Sequence, residues 1–110
     1  MSEQTWGLRP EELAGIRRVL ATHPAVEKAI VYGSRALGTQ RPGSDIDVTL
    51  IGKMKWSELQ QIETDLDNLD LPYTIDLSLA SQIENQALRQ HIKNHGQQLY
   101  PEPVNRKPKP

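Results

Sequence analysis

Hydrophobic and polar positions alternate with two distinct periods along this chain, and the periods divide it into helices and strands. Leu13, Ile16, Val19 and Leu20 recur at helical spacing after Pro10, Glu11 and Glu12, which suit a helix's first turn; His23-Pro24 closes that segment. Ala29 to Tyr32 is a short apolar run leading into Gly33, which predicts a buried strand. Ser34 to Gly38 fits one helical turn, and Arg41-Pro42-Gly43-Ser44 a loop. From Asp45 to Ile51 the period is two. Ile46, Val48 and Leu50 share one face, and Asp45, Asp47 and Thr49 the other.

The second half repeats these devices. Ser57-Glu58-Leu59-Gln60 has the form of a capping box, opening a helix that turns Leu59, Ile62, Leu66 and Leu69 inward before Pro72. Tyr73 to Leu79 alternates again, with Thr74, Asp76 and Ser78 on the polar side. Ser81-Gln82-Ile83-Glu84 reads as a second capping box, starting a helix through about His95 that Gly96 ends. The predicted order is helix, strand, short helix, strand, helix, strand, helix. This describes an α+β domain (α/β in some schemes): a small mixed sheet of three or more strands, with helices packed on one face. The domain spans 1–100, and the Pro- and Lys-rich segment 101–110 reads as a disordered tail.

Composition narrows the function classes. With 110 residues, 36% apolar and only five aromatic side chains, the core is modest and built from aliphatic residues. A formal charge of −1 supplies no global basic field, so direct nucleic-acid binding is not expected. Cysteine is absent, which excludes disulfides, thiolate catalysis and Cys-zinc sites. Neither a signal peptide nor an apolar run of about 20 residues is present, so a cytoplasmic protein without a membrane partner is expected.

The polar face carries the candidate chemistry. Asp45 and Asp47 project the same way, and Asp76 joins them if the strand carrying it pairs alongside. Crowded carboxylates repel, and either a raised pKa or a bound cation relieves them. Oxygen-only donors favour Mg²⁺ or Mn²⁺ over zinc, and such ions commonly bridge substrate phosphates. Gly33-Ser34, at the end of a strand, lets the backbone approach a phosphate and offers donors to it. Taken singly, these are a solvated strand face and an ordinary turn glycine. His23, His91 and His95 share no ligand spacing and read as surface or helix-end residues; Trp6 and Trp56 read as packing residues.

Gly33-Ser34, ten residues, then Asp45-Ile46-Asp47 resembles the Gly-Ser…Asp-x-Asp signature of the DNA polymerase β-like nucleotidyltransferase superfamily. Within it, Tyr-Gly-Ser-Arg-Ala-Leu-Gly…Ser-Asp-Ile-Asp-Val is similar to the minimal nucleotidyltransferase (MNT) family, over about Val26 to Tyr100. The resemblance implies transfer of a nucleoside monophosphate, AMP from ATP, to a hydroxyl acceptor by a two-metal mechanism. It implies metal ligation and catalysis by Asp45, Asp47 and Asp76, and NTP phosphate binding by Gly33 and Ser34. Arg35 is weighed equally as a phosphate ligand and as a structural ion pair with an aspartate.

MNT proteins resemble antitoxins that AMPylate a tyrosine of a helical HEPN partner, so a hetero-oligomer with a HEPN-like or substrate-binding protein is implied. Two alternatives stay open. One is a nucleotidyltransferase subunit acting on a small molecule or RNA end with a separate substrate-binding subunit. The other is a non-catalytic module that neutralises a partner by docking.

Overall fold

The computed structural model describes residues 5–103, and the readings made for 104–110 lie outside them. The elements are α1 (Pro10–Ala21), β1 (Lys28–Tyr32), α2 (Ser34–Leu37), β2 (Ile46–Ile51), α3 (Trp56–Asp67), β3 (Ile75–Leu79), α4 (Gln86–His95) and β4 (Gln97–Tyr100), with a 3-10 turn at Ala80–Gln82. Four strands form one sheet in the order β3-β2-β1-β4. β1 runs antiparallel to β2 and β4, while β2 and β3 are parallel. A parallel pair needs a crossover, and α3 supplies it.

Pro10 stands at the first position of α1, and the Glu12 carboxylate accepts the Arg9 N–H at 2.9 Å, as the acidic first turn predicts. Leu13, Ile16 and Leu20 face inward; Gly15 lets the Leu69 side chain come against the helix. α3 contributes Leu59, Ile62 and Leu66 to the same core. Its N-cap lies two residues before the expected one: Lys55 takes that place, and the Glu58 carboxylate accepts its N–H at 3.0 Å. The expected box at Ser81 does not form either. The chain makes a 3-10 turn there, and Asn85 caps α4 by accepting the Leu88 N–H at 2.9 Å. Asparagine is as good an N-cap as serine, and it sits where the chain has already turned back.

The alternating strands behave as read. Ala29 and Val31, then Ile46, Val48 and Leu50, then Leu79 point into the core beneath α1 and α3. Each fully buried Leu or Ile contributes roughly 2 kcal/mol relative to exposure, so these residues set which sheet face is inward. Trp6 is buried at 3% exposure and donates its indole N–H to Gln97, but Trp56 is 62% exposed and is not a packing residue.

Two features differ from the sequence expectation. β4 is an additional strand, joined to β1 across a register irregularity at Ala29/Ile30. Only Leu99 of its four residues is buried, so its pattern is too polar to announce a strand. In addition, α4 leans over the β1 end of the acid-bearing face: its C-terminal Gly96 lies against the Ile30 side chain, and Tyr32 meets the His91 ring edge-on at 6.3 Å. The first residues of the expected tail touch the domain, with Pro101 O accepting from the Gln98 amide and Glu102 3.5 Å from Arg17. Among the described residues no helix is long and apolar enough to cross a membrane.

A polar cluster fastens α1 to the segment before β3. The Tyr73 hydroxyl donates to the Glu12 carboxylate, holding its pKa below the usual 4.5, and burial helps push Tyr73 up to about 12. A depressed carboxylate contributes stability above its unfolded pKa and loses it as pH falls through the folded one. Tyr73→Phe should therefore cost about 1 kcal/mol at neutral pH. In denaturant titrations that difference should shrink below the ordinary Glu12 value of 4.5. A pH-independent difference would show that the loss is one of packing.

Candidate active site

Asp47 on β2 and Asp76 on β3 are direct register partners in the parallel pair. Parallel pairing at matching parity places both carboxylates on the face opposite the core. Asp45 is the residue before β2 and is exposed at the rim of that face, while Asp47 is half-buried between them. Burial raises the Asp47 pKa first; the Asp76 and Asp45 charges and a hydrogen bond shared with Asp76 add to it, and His91 opposes them. Among the described residues no three acidic or histidine side chains stand together as a ready ion cage. The structure therefore brings Asp47 and Asp76 together and leaves Asp45 beside them. The donor set nevertheless suits a hard divalent cation: all-oxygen, on one face, with an ionised form of Asp47 that its neighbours disfavour.

Gly33 closes the site on the β1 side. Tyr32 pairs with Asp47, so the chain leaves β1 directly beside that carboxylate. Gly33 adopts φ 76°, ψ −155°, and a Cβ there would overlap Asp47 Oδ2. Glycine is required twice over, by conformation and by space. Ser34 then begins α2, where Gly33 O accepts from Leu37 N–H at 3.1 Å and Ser34 O accepts from Thr39 N–H at 2.9 Å.

Arg35 is not brought to the aspartates. It is buried at 3% exposure, donating from Nη1 to Trp6 O (2.8 Å) and from Nε and Nη2 to Ser44 O (3.2 and 2.7 Å). Its guanidinium also lies 4.7 Å from the centre of the Tyr73 ring. Neither of the expected roles, phosphate ligand or ion pair with an aspartate, describes this geometry. Arg35 instead ties α2 to the carbonyl immediately preceding Asp45.

Two residues at the site were not singled out by sequence. Tyr32 reads as core, yet it stands on the acid-bearing face, where burial and the Asp47 and Asp76 charges push its pKa up. His91 Nε2 accepts the Gly33 N–H at 3.0 Å. No spacing links residues 33 and 91; only the register of Tyr32, beside Asp47, placed a signal within reach.

The polymerase β nucleotidyltransferase family model matches residues 15–103. A search of curated protein sequences found no match. Among solved structures, similarity extends to a toxin–antitoxin crystal structure with AMP-PNP, at 24% identity and a TM-score of 0.64, over 80% of this chain and 72% of that one. The complex of tri-AMPylated Shewanella oneidensis HEPN toxin with MNT antitoxin matches at 18% identity and a TM-score of 0.61, over 84% and 72%. An MntA-HepT toxin–antitoxin structure matches at 19% identity and a TM-score of 0.60, over the same shares. At these identities the likeness is one of fold.

Proposed function

Because this chain belongs to the polymerase β nucleotidyltransferase family, we propose that it moves AMP from ATP onto a tyrosine hydroxyl of a helical HEPN-like partner protein, acting as an antitoxin. The observation that carries this reading is the Asp47–Asp76 register pair, with Asp45 one step before the strand and Gly33 pressed against Asp47. The acceptor oxygen attacks the α-phosphorus, the bond to the β-phosphate oxygen breaks, and pyrophosphate leaves.

Asp45, Asp47 and Asp76 would hold Mg²⁺ (or Mn²⁺), which would supply neutralisation of the charge on the triphosphate and on the reacting oxygens. Asp76 takes the acceptor proton, a role that its greater exposure within the register pair supports. The Gly33-Ser34 turn orients the β- and γ-phosphates: Gly33, whose own N–H is taken by His91, gives the close backbone approach, and Ser34 supplies the backbone and hydroxyl donors. Arg35 has no phosphate role in this scheme; it supports the loop that delivers Asp45.

The acceptor assignment draws on the fold neighbours, which are toxin–antitoxin structures, one of them a tri-AMPylated HEPN toxin in complex with an MNT antitoxin. ATP as the donor draws on the neighbour bound to AMP-PNP. The setting proposed is the cytoplasm, where both ATP and magnesium are available.

The test is incubation of the chain with α-labelled ATP, Mg²⁺ and the product of its neighbouring gene. Label should appear on a partner tyrosine with release of pyrophosphate, and chelator should abolish it. Label entering a small molecule or an RNA end instead would overturn the protein acceptor. Neutralisation of the partner that survives Asp45→Asn together with Asp47→Asn would overturn the catalytic account.

A further inference from the structure

His91 lies on α4, far along the chain from the Gly33-Ser34 turn, yet it is the acceptor for the Gly33 backbone N–H at 3.0 Å. Gly33 is the residue whose conformation most needs fixing. It has no side chain to restrict it, it sits at φ 76°, and its Cα lies against Asp47. Asp47 limits one side of that peptide, and His91 holds the other. The imidazole is itself held: Tyr32 packs edge-on to it at 6.3 Å, and the His95 ring lies 5.3 Å away. α4 is in turn seated on β1: its C-cap residue Gly96 lies against the Ile30 side chain.

We propose that His91 is a positioning residue for nucleotide binding: its Nε2 fixes the Gly33 peptide so that the turn into Ser34 is already shaped for a triphosphate. This rests on the nucleotidyltransferase reading of the Gly33-Ser34 turn. The imidazole acts through the Gly33 backbone and does not touch the reacting atoms. Losing one such acceptor lets Gly33 sample other conformations, and the cost falls on binding. It should weaken affinity by roughly three- to tenfold, the range of one net hydrogen bond. The chemical step should change little, because the carboxylates are placed by the β2–β3 ladder and not by α4.

The experiment is calorimetric titration of the full chain with ATP and Mg²⁺, run on wild type, His91→Ala, His91→Gln and His91→Phe, with Asp47→Asn as the control for the site itself. His91→Gln keeps an acceptor near the position of Nε2, whereas His91→Phe keeps the ring and loses the acceptor. The expected result is a several-fold rise in Kd for Ala and Phe and recovery with Gln, accompanied in transfer assays by a raised KM at nearly constant kcat. Equal affinity in His91→Ala, or rescue by Phe and not by Gln, would overturn the proposal while wild-type binding, lost in Asp47→Asn, leaves the reading of the site standing. Absence of any ATP binding by the wild type would overturn both.

Discussion

Asp47→Asn is expected to abolish nucleotidyl transfer, by on the order of a thousandfold, while the protein remains folded. The substitution keeps size and shape and removes one charge. Asp47 is the residue at which the three carboxylates converge in their effects: its pKa is raised by burial and by both Asp76 and Asp45. Replacing a carboxylate with an amide removes a strong oxygen donor to a divalent ion. It also leaves an N–H₂ group facing Asp76, which favours Asp76 as a hydrogen-bond acceptor. The two consequences run in opposite directions. Activity falls steeply, but repulsion within the metal-free face is relieved, so in chelator the variant should melt at or slightly above the wild-type temperature. Transfer measured at one fixed concentration of ATP and Mg²⁺ for both proteins, paired with thermal melts, checks both. A variant that unfolds, or one that retains more than a tenth of wild-type transfer, would sink the assignment.

Arg35→Met should have the largest effect on stability of any single substitution at the site, a loss of about 3–5 kcal/mol. A buried guanidinium here satisfies the carbonyls of Trp6 and Ser44 with three hydrogen bonds and lies under Tyr73. Methionine fills much of the stem's volume but offers no donor, so both carbonyls lose their partner. Arg35→Lys should fail to rescue, because one ammonium cannot reproduce a planar fork that reaches two separate segments. Chemical denaturation with a matched Asp47→Asn control separates this effect from catalysis. A loss under 1 kcal/mol would show that water replaces the guanidinium at no cost. Surviving Arg35→Met protein should also have weakened activity, since the Ser44 carbonyl adjoins Asp45.

These two residues mark the boundary of what the amino-acid order reveals. Asp47 and Asp76 were legible because a strand has a period of two, and because the alternation Ile46-Asp47-Val48 and Ile75-Asp76-Leu77 leaves one face apolar. Their adjacency was conditional on the third strand pairing alongside, and the β2–β3 pairing supplies it. The Gly33-Ser34 turn was legible from its place at a strand end. Arg35 was not: its neighbours Trp6 and Ser44 are brought to it by tertiary folding, and a guanidinium directed at two carbonyls looks the same in sequence as one directed at a phosphate. His91 was hidden for a related reason, since an imidazole accepting a backbone N–H from another element leaves no spacing signal. β4 escaped because Gln97, Gln98 and Tyr100 are only partly buried and its pairing with β1 is irregular. The start of α4 was misplaced because Ser81 and Asn85 are both good caps, and the turn at Ala80–Gln82 decided between them.

The parallel register of Asp47 with Asp76 also bears on how such a domain can be altered. Their separation is a property of two adjacent peptide backbones joined by hydrogen bonds, and it does not depend on the segment that links them. That segment, with α3 and its flanking loops at 52–55 and 68–72, can be lengthened, recharged or reshaped without retuning the spacing between the acids. A library confined to those loops would therefore vary the surface around the domain while leaving the spacing of the acids unchanged.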